Sequence, residues 1–224
     1  SRRDADKLIE QGKVLVNGQV AGMGQQVEET DTVQVGKKIL QGKQTQKVLA
    51  FYKPVGVTCT ERDPHAEKKI MDMIRYPERL TYAGRLDKDS EGLILLTNDG
   101  DLINVMMRGA NRHEKEYIVK TDREITPDFL EKMAKGIYLK DLDITTRECE
   151  IEQIGKFTFR IVLTQGVNRQ IRRMCEACGY RVKALKRIRI MNILLGDLKP
   201  GKWREVTGEE LEQLQRDTGM LNRN

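Results

Sequence analysis

The stretch that decides the fold is GRLDKDSEGLILLTNDG, residues 84–100. It opens with a polar, charged loop and continues into an aliphatic run from Leu93 to Leu96. A short aliphatic run that follows a glycine and ends in the turn sequence Asn-Asp-Gly is typical of a strand buried on both faces. Asp101, directly after the turn, is predicted to cap the next helix, LINVMMR.

The segments around this strand mix the two kinds of secondary structure without strict alternation. This mixture predicts an α+β fold, with a mixed, largely antiparallel sheet and flanking helices. The predicted strands are VLAFYKP (48–54), KEYIVKT (115–121), the pair DITTRECEIEQI and KFTFRIVLTQG (143–166), and YRVKALKRIRIMNILL (180–195); the predicted helices are IMDMIRYPERL (70–80), TPDFLEKMAKG (126–136), NRQIRRMCEACG (168–179) and EELEQLQRD (209–217).

The first forty-odd residues form a separate predicted unit. A helix ends at Gly12, and Asn17-Gly18 between β-rich segments is the strongest short hairpin signal. The polar stretch from Gly36 to Gln46 is predicted to be a linker. We therefore expect two domains, residues 1–43 and residues 47–224, of which the first is too small to bury much surface alone.

Composition excludes several classes of protein. Charged residues make up 33% of the 224 positions and apolar residues 38%, and no apolar run approaches the ~18 residues of a spanning helix. The four cysteines are too few for a disulfide framework in a chain of this length. We expect a reduced, cytoplasmic, monomeric protein without a membrane association.

Positive charge is concentrated in one segment. The net charge is +6, yet the residues from Gln165 to Ile190 contain eight Lys and Arg and one acid, Glu176. A solvated helix face is the plain explanation of a charge run. Because this run has one sign, is rich in arginine and is interleaved with apolar residues, a nucleic-acid partner is favoured.

One carboxylate is a candidate for chemistry. Asp87 lies between Arg85 and Lys88, and a carboxylate held among cations can act as a nucleophile or base. The alternative is a turn-capping role, which Asp89, Ser90 or Glu91 could also fill. Phosphate-binding glycine loops and the nucleophile elbow are absent from the sequence, and the single CxxC pair, Cys175 and Cys178, is too few for a structural zinc. We expect neither a cofactor nor a metal.

At this point the sequence resembles a known family. GRLDKDSEGLILLTNDGDL, KEYIV, QGVNRQIRRMC and GKWREV are similar, in order and approximate spacing, to the motifs of the RsuA/RluB/RluE/RluF family of RNA pseudouridine synthases. HEKEY and NRQIRRMCE most resemble the RluF-type members. SRRDADKLIEQGKVLVNGQVA is similar to the later part of the alpha-L RNA-binding domain, which normally has a further helix before this point. An N-terminal portion is therefore expected to be missing.

The resemblance implies a role for each matching residue. Asp87 corresponds to the essential aspartate, Tyr117 to the aromatic residue that stacks on the target base, and Arg172 to the basic residue that pairs with the aspartate. Arg85 corresponds to the residue that fills the gap left by a flipped nucleotide. Further RNA-binding residues are expected in both domains: Arg2, Arg3, Lys7, Asn168, Arg169, Arg173, Lys186 and Arg187.

The resulting hypothesis is an enzyme that isomerises one uridine of RNA, with ribosomal RNA of the large subunit as the main expectation and transfer RNA as a possible second partner. A non-catalytic RNA-binding or ribosome-assembly protein of the same fold is the alternative. Asp87, Tyr117 and Arg172 together argue against it, because a binding protein needs no such set. A glycosidase would need a second acid with a separate role, and Asp87 has no evident acidic partner.

Overall fold

The computed structural model of the chain describes residues 2–28, 30–40, 45–60 and 67–221, with the side chain of Arg2 outside the described part. Backbone contacts divide the chain into two compact units, Ser1–Thr45 and Gln46–Asn224. In the described residues, no helix combines the length and the apolar character that crossing a bilayer requires.

The N-terminal unit packs one helix against a small antiparallel sheet of strand order β2-β1-β3-β4. Asn17 and Gly18 both have positive φ angles, 51° and 82°, which is the backbone of the tight hairpin turn expected from this dipeptide. Its core consists of Val14, Val16 and Ala21. The elements are α1 (Arg2–Glu10), β1 (Val14–Val16), β2 (Gln19–Val20), β3 (Val33–Val35) and β4 (Lys38–Ile39).

The C-terminal unit is a mixed sheet with helices packed against it, which confirms the α+β class. Two single-turn 3₁₀ helices, Ile70–Met73 and Gly109–Asn111, lie in its connections. The elements are β5 (Val48–Lys53), β6 (Thr81–Ala83), β7 (Glu91–Thr97), α2 (Gly100–Met107), β8 (Lys115–Thr121), α3 (Pro127–Ala134), β9 (Tyr138–Leu139), β10 (Ile144–Thr145), β11 (Glu150–Gly155), β12 (Thr158–Leu163), α4 (Gln170–Ala177), β13 (Val182–Ile190), β14 (Ile193–Leu194), β15 (Trp203–Glu205) and α5 (Gly208–Asp217).

Within the described residues the main sheet has the order β11-β12-β8-β13-β7-β5-β15, and β14 and β6 pair with β13 and β7 off this path. All of these pairings are antiparallel except one: β13 runs parallel to β7, with Lys186 opposite Glu91 and Arg187 opposite Gly92. This pair joins the half of the sheet that carries Tyr117, on β8, to the half that begins just after Asp87.

The apolar side chains of the C-terminal unit form three clusters. One lies between the sheet and helices α2 and α5, and a second joins β8 and β12 to α3 and α4. The third covers the other face of β5 and β7, where Phe51 and Ile94 are fully buried and Leu86 is the contribution of the Asp87 loop. Burial on both faces explains why residues 93–96 are uniformly aliphatic.

Three local predictions are wrong. The helix N-cap before α2 is Asp99, whose carboxylate accepts from the amides of Asp101 and Leu102, and not Asp101, which lies in the first helical turn. The helix predicted over 70–80 is a single 3₁₀ turn that ends at Met73, before Pro77. Part of the predicted linker forms strand β4, which pairs with β3.

Candidate active site

Asp87 lies in the loop between β6 and β7. The residues on either side fix its position, since Leu86 is buried in the third apolar cluster and Ser90 is 1% exposed. The Ser90 amide donates to the Asp87 carbonyl at 3.1 Å, which closes the turn. The Asp87 side chain remains one-third exposed. The loop thus holds a carboxylate at the surface on a fixed backbone.

A second turn, which follows β5, supports the Asp87 loop. Lys53, at the end of β5, is 0% exposed, and its Nζ donates to the carbonyls of Pro54 at 2.9 Å and Val57 at 2.8 Å. Within the turn that this ammonium fixes, the amide of Gly56 donates to the carbonyl of Lys88 at 2.7 Å. The buried lysine therefore anchors the backbone on which the Asp87 loop rests.

Burial lowers the pKa of Lys53 to about 8, although the negative charges of Asp87 and Asp89 partly oppose the shift. This residue was not predicted from the sequence. The signal it left is a lysine at the end of an otherwise apolar strand, VLAFYK, whose burial is complete along its whole length.

Helix α4 supplies the guanidinium groups next to Asp87. Arg169, at its N-cap, has a left-handed backbone with φ of 53°. Its Nη1 and Nη2 donate to the two carboxylate oxygens of Asp89 at 3.0 and 2.8 Å, and Nη1 lies 3.7 Å from Oδ2 of Asp87. The hydrogen bonds from Arg169 are the main cause of the lowered pKa of Asp89.

Arg172 contacts the same loop but a different carboxylate from the expected one. Its Nη2 donates to the carbonyl of Asp89 at 2.8 Å and to the Ser90 hydroxyl at 3.1 Å. Its Nε lies 3.3 Å from Oδ2 of Asp89, outside hydrogen-bonding geometry, so this contact is electrostatic. Among the described residues, the ion pair within 4 Å of Asp87 comes from Arg169 and not from Arg172. Arg172 follows Arg169 by three positions, and Asp89 contacts both arginines.

Tyr117 lies in the middle of β8, opposite Arg187 of β13 and Ile161 of β12. Its ring is half-buried and packs against two apolar clusters, one of which contains Leu86, the neighbour of Asp87. An aromatic ring with one covered face and one accessible part is suited to stacking on a planar ligand.

Arg187 differs from the surface residue that was expected. It is 3% exposed, its Nε donates to the Leu93 carbonyl at 2.7 Å, and its Nη1 donates to the Arg85 carbonyl at 3.4 Å. Its Nη2 is buried without a hydrogen-bond partner among the described residues. The reason is its position in the parallel pair of β13 with β7, where its guanidinium reaches the carbonyls of Leu93 in β7 and Arg85 before Asp87.

The other expected RNA-binding residues of the C-terminal unit lie at or near the surface. Arg85 and Asn168 are exposed. Arg173 is half-buried and forms an ion pair with Asp141. Lys186 is also half-buried, with its Nζ 5.0 Å from the centre of the Tyr52 ring.

In the N-terminal unit, Arg3 and Lys7 are exposed on α1. The side chain of Arg2 lies outside the described residues.

Two further features bear on the kind of chemistry. A surface cavity of about 540 Å³ lies apart from these residues, between the end of α3 and strands β11 and β12, with Lys135, Cys149 and Val162 in its lining. Across the described ranges, no group of three or more His, Cys, Asp and Glu side chains could hold a metal ion. The Asp87 loop thus carries a carboxylate, contacts two arginines and is bonded to the turn that Lys53 fixes, and the Tyr117 ring packs against the apolar cluster that contains Leu86.

Comparisons with known proteins show the family of the chain. Residues 47–177 match the family model for RNA pseudouridylate synthase, and residues 1–33 match the S4 domain. The dual-specificity RNA pseudouridine synthase RluF of Escherichia coli K12 is 45% identical over 96% of this chain and 73% of its own length. The ribosomal large subunit pseudouridine synthase B of Pseudomonas aeruginosa is 32% identical over 98% of this chain and 60% of its own length.

A solved structure has a similar overall fold. A crystal structure of a pseudouridylate synthase superposes with a TM-score of 0.72 at 28% identity, covering 96% of this chain and 94% of the other. The family resemblance of the sequence is confirmed: the chain belongs to the RNA pseudouridylate synthase family and carries an S4 domain at its N-terminus.

Proposed function

We propose that this enzyme isomerises a specific uridine of large-subunit ribosomal RNA to pseudouridine and that Asp87 is the catalytic carboxylate. The observation that carries the site assignment is the placement of Asp87: one-third exposed on a rigid loop, with Arg169 at 3.7 Å and the buried Lys53 beneath. The substrate is inferred from the relative named ribosomal large subunit pseudouridine synthase B.

The reaction needs few parts. The bond from ribose C1′ to uracil N1 breaks, the base turns, and C1′ bonds to C5; the C5 hydrogen leaves as a proton and N1 ends protonated. Atoms and electrons balance without an oxidant or reductant. Asp87 would attack the sugar, attack the base or remove a sugar proton, and each of these requires an ionised, correctly held carboxylate.

The base has to leave the RNA stack before it can turn. Extrusion costs a few kcal/mol, and stacking on an aromatic ring returns roughly 1–3 kcal/mol. We propose that Tyr117 supplies this stacking and that Arg85, exposed next to the site, enters the gap left by the nucleotide. Arg172, which donates to the Asp89 carbonyl and the Ser90 hydroxyl, would hold the Asp87 loop in place.

We further propose a division of work along the chain. Residues 1–43 would bind RNA through basic residues of α1, and residues 47–224 would carry the chemistry. The exposed Arg3 and Lys7, together with Asn168, Arg169, Arg173 and Lys186 of the second unit, would contact phosphates. All four cysteines are free thiols, which fits a reducing compartment, and we propose a cytoplasmic monomer.

The proposal is tested with the purified protein and ribosomal RNA transcribed with uridine tritiated at C5. Release of tritium to water measures the exchange at C5, and chemical mapping of pseudouridine then identifies the position. We expect release that stops at about one equivalent per RNA and one modified position in large-subunit RNA.

Two results would count against it. RNA binding without tritium release would favour the non-catalytic alternative. Release only from transfer RNA would overturn the assignment of the substrate. The name of the relative RluF includes dual specificity, so both RNA classes belong in the same assay.

A further inference from the structure

We propose that the segment from Met107 to Arg112 is an RNA-binding element, in which Arg108 and Arg112 hold phosphates next to the target uridine and Met107 packs against a base beside Arg85. This inference rests on the proposed function and deepens it, since it adds to the surface that holds the same substrate.

The segment begins where helix α2 touches the connection between β6 and β7, which carries Asp87. Met107 is the last residue of α2, and its Sδ lies 3.1 Å from the position that a Cβ on Gly84 would occupy. Gly84 directly precedes Arg85, the residue proposed to enter the gap left by the flipped nucleotide. The segment therefore starts next to a part of the protein that faces the RNA.

The side chains of the segment suit an anionic partner. The six residues, MRGANR, include two arginines and no acid, and all six are exposed. Neither Arg108 nor Arg112 has a hydrogen bond or an ion pair from its side chain to any described residue. By contrast, Arg189 of β13 is neutralised by Glu114 and Glu116. A free guanidinium can form a bidentate pair with phosphate without first leaving a carboxylate.

Hydrogen bonds hold the backbone of the segment in place. Nδ2 of Asn111 donates at 2.8 Å to the carbonyl of Val105, one of the last carbonyls of α2. Nη1 of Arg147 donates to the carbonyl of Gly109 at 3.1 Å and to that of Thr164 at 3.0 Å, so it ties the segment to the end of β12. A segment fixed in this way loses little conformational freedom on binding, and its arginines are pre-organised for RNA.

Met107 adds an apolar group to this basic segment. Its side chain is 52% exposed and lies against Gly84, which has no side chain to cover it. Methionine is among the apolar residues that nucleic-acid-binding proteins place against unstacked bases. When the uridine leaves the stack, the neighbouring base exposes part of its face, and contact with Met107 removes apolar surface of both from water.

The salt dependence of RNA binding separates the two kinds of contact. With a transcript of large-subunit ribosomal RNA, Arg108→Ala and Arg112→Ala should each weaken binding roughly three- to tenfold at low salt. Each should also make the slope of log binding constant against log salt shallower by about 1. Met107→Ala should weaken binding about fivefold with an unchanged slope, because no phosphate contact is lost, and Met107→Leu should recover most of the affinity.

Two variants outside the segment are the controls. Arg216→Ala removes an exposed arginine of α5, and Leu194→Ala removes an exposed apolar side chain of β14. Both should leave the affinity and the salt slope at the wild-type values. Thermal unfolding of every variant shows whether it is folded at the assay temperature.

The position of the segment on the RNA is tested by directed cleavage. An iron chelate attached to the new thiol of Arg108→Cys should cut the RNA at the nucleotides that flank the uridine modified by wild-type protein. The same reagent on Arg216→Cys should give no cuts there. Wild-type protein treated with the reagent gives the background from its half-buried thiols, Cys149 and Cys178.

The outcomes separate this proposal from the function on which it rests. Salt slopes of Arg108→Ala and Arg112→Ala equal to that of wild type would overturn the phosphate contacts, and wild-type affinity of Met107→Ala would overturn the base contact. Cuts away from the modified uridine would overturn the position of the segment. If wild-type protein forms no pseudouridine in any RNA offered, the proposed function itself fails, whatever the RNA affinity of these variants.

Discussion

Gly92 and Arg187 lie so close together that no side chain fits between them: a Cβ built on Gly92 would be 2.2 Å from the Arg187 carbonyl oxygen and 2.6 Å from its amide nitrogen. Their contact is the parallel pairing of β7 with β13. This close approach joins β7, the strand that follows Asp87, to β13, the strand opposite Tyr117 of β8. The geometry of the site therefore requires a residue without a side chain at position 92.

Gly92→Ala should therefore be strongly destabilising. The new methyl group meets backbone and not a movable side chain, and the φ of 114° is itself unfavourable for alanine. We expect a loss of at least ~3 kcal/mol in the free energy of unfolding, measured by urea titration. Gly100→Ala, at the start of α2 with no atom within 4 Å of the new methyl group, is the control and should change it by less than about 1 kcal/mol. Equal effects would contradict the close approach.

Lys53 should make stability depend on pH in the alkaline range. Its pKa is lowered to about 8 by burial, from 10.5 in the unfolded chain, so between these values the unfolded state binds more protons. Stability from this group therefore rises with pH, by roughly 2 kcal/mol from about pH 7.5 to about pH 9.5. Burial also lowers the pKa of Lys115 to about 8, so the test is the difference between wild type and Lys53→Met in urea unfolding at both pH values. Parallel changes in the two proteins would show that Lys53 is not buried as a cation.

The buried Arg187 and the exposed Arg85 should respond differently to charge reversal. Arg187→Glu places a negative charge among buried carbonyl groups, and we expect a loss of about 3–5 kcal/mol in stability. Arg85→Glu changes an exposed residue, so the melting temperature should stay the same while the slope of log binding constant against log salt becomes shallower by about 1. A stable Arg187→Glu protein with weakened RNA binding would place Arg187 at the surface instead.

Tyr117 should contribute mainly through its ring. Tyr117→Phe keeps the ring and Tyr117→Ala removes it, and loss of stacking on a base costs roughly 1–3 kcal/mol. We expect the alanine variant to lose about 5- to 150-fold in turnover beyond any loss in the phenylalanine variant. Tyr138→Phe, at an exposed tyrosine of β9, controls for the loss of a hydroxyl group elsewhere in the protein. Equal rates for the Tyr117→Phe and Tyr117→Ala proteins would exclude a stacking role.

Local patterns predicted much of the fold. The Asn17-Gly18 turn, the aliphatic strand 93–96 and the end of α3 just before Gly136 each depend on short-range preferences, and each is present. The segment 70–80 had a helical apolar spacing, but the helical hydrogen bonding ends at Met73 and Pro77 follows. The spacing of the apolar residues alone does not show that a proline further along the segment disfavours the helix.

The site was harder to predict than the fold. The family motif identified Asp87, Tyr117 and Arg172. In the structure, Arg172 donates to the carbonyl of Asp89 in the Asp87 loop, although the two residues are 83 positions apart in the sequence. Which carboxylate each arginine contacts depends on the three-residue offset between Arg169 and Arg172 and on the loop backbone, and the sequence alone does not determine how the two combine. Lys53 was missed because its burial follows from the tertiary packing of β5.

The central claim is that Asp87 is the catalytic carboxylate, and its most direct test is the single-turnover release of tritium from C5-labelled ribosomal RNA by Asp87→Asn. Asp101→Asn, which removes an exposed acid from the first turn of α2, is the matched control. We predict that Asp87→Asn loses activity by at least ~10³-fold while its RNA affinity and melting temperature remain close to those of wild type, and that Asp101→Asn retains full activity. Turnover by a folded Asp87→Asn protein within about tenfold of wild type would contradict the account.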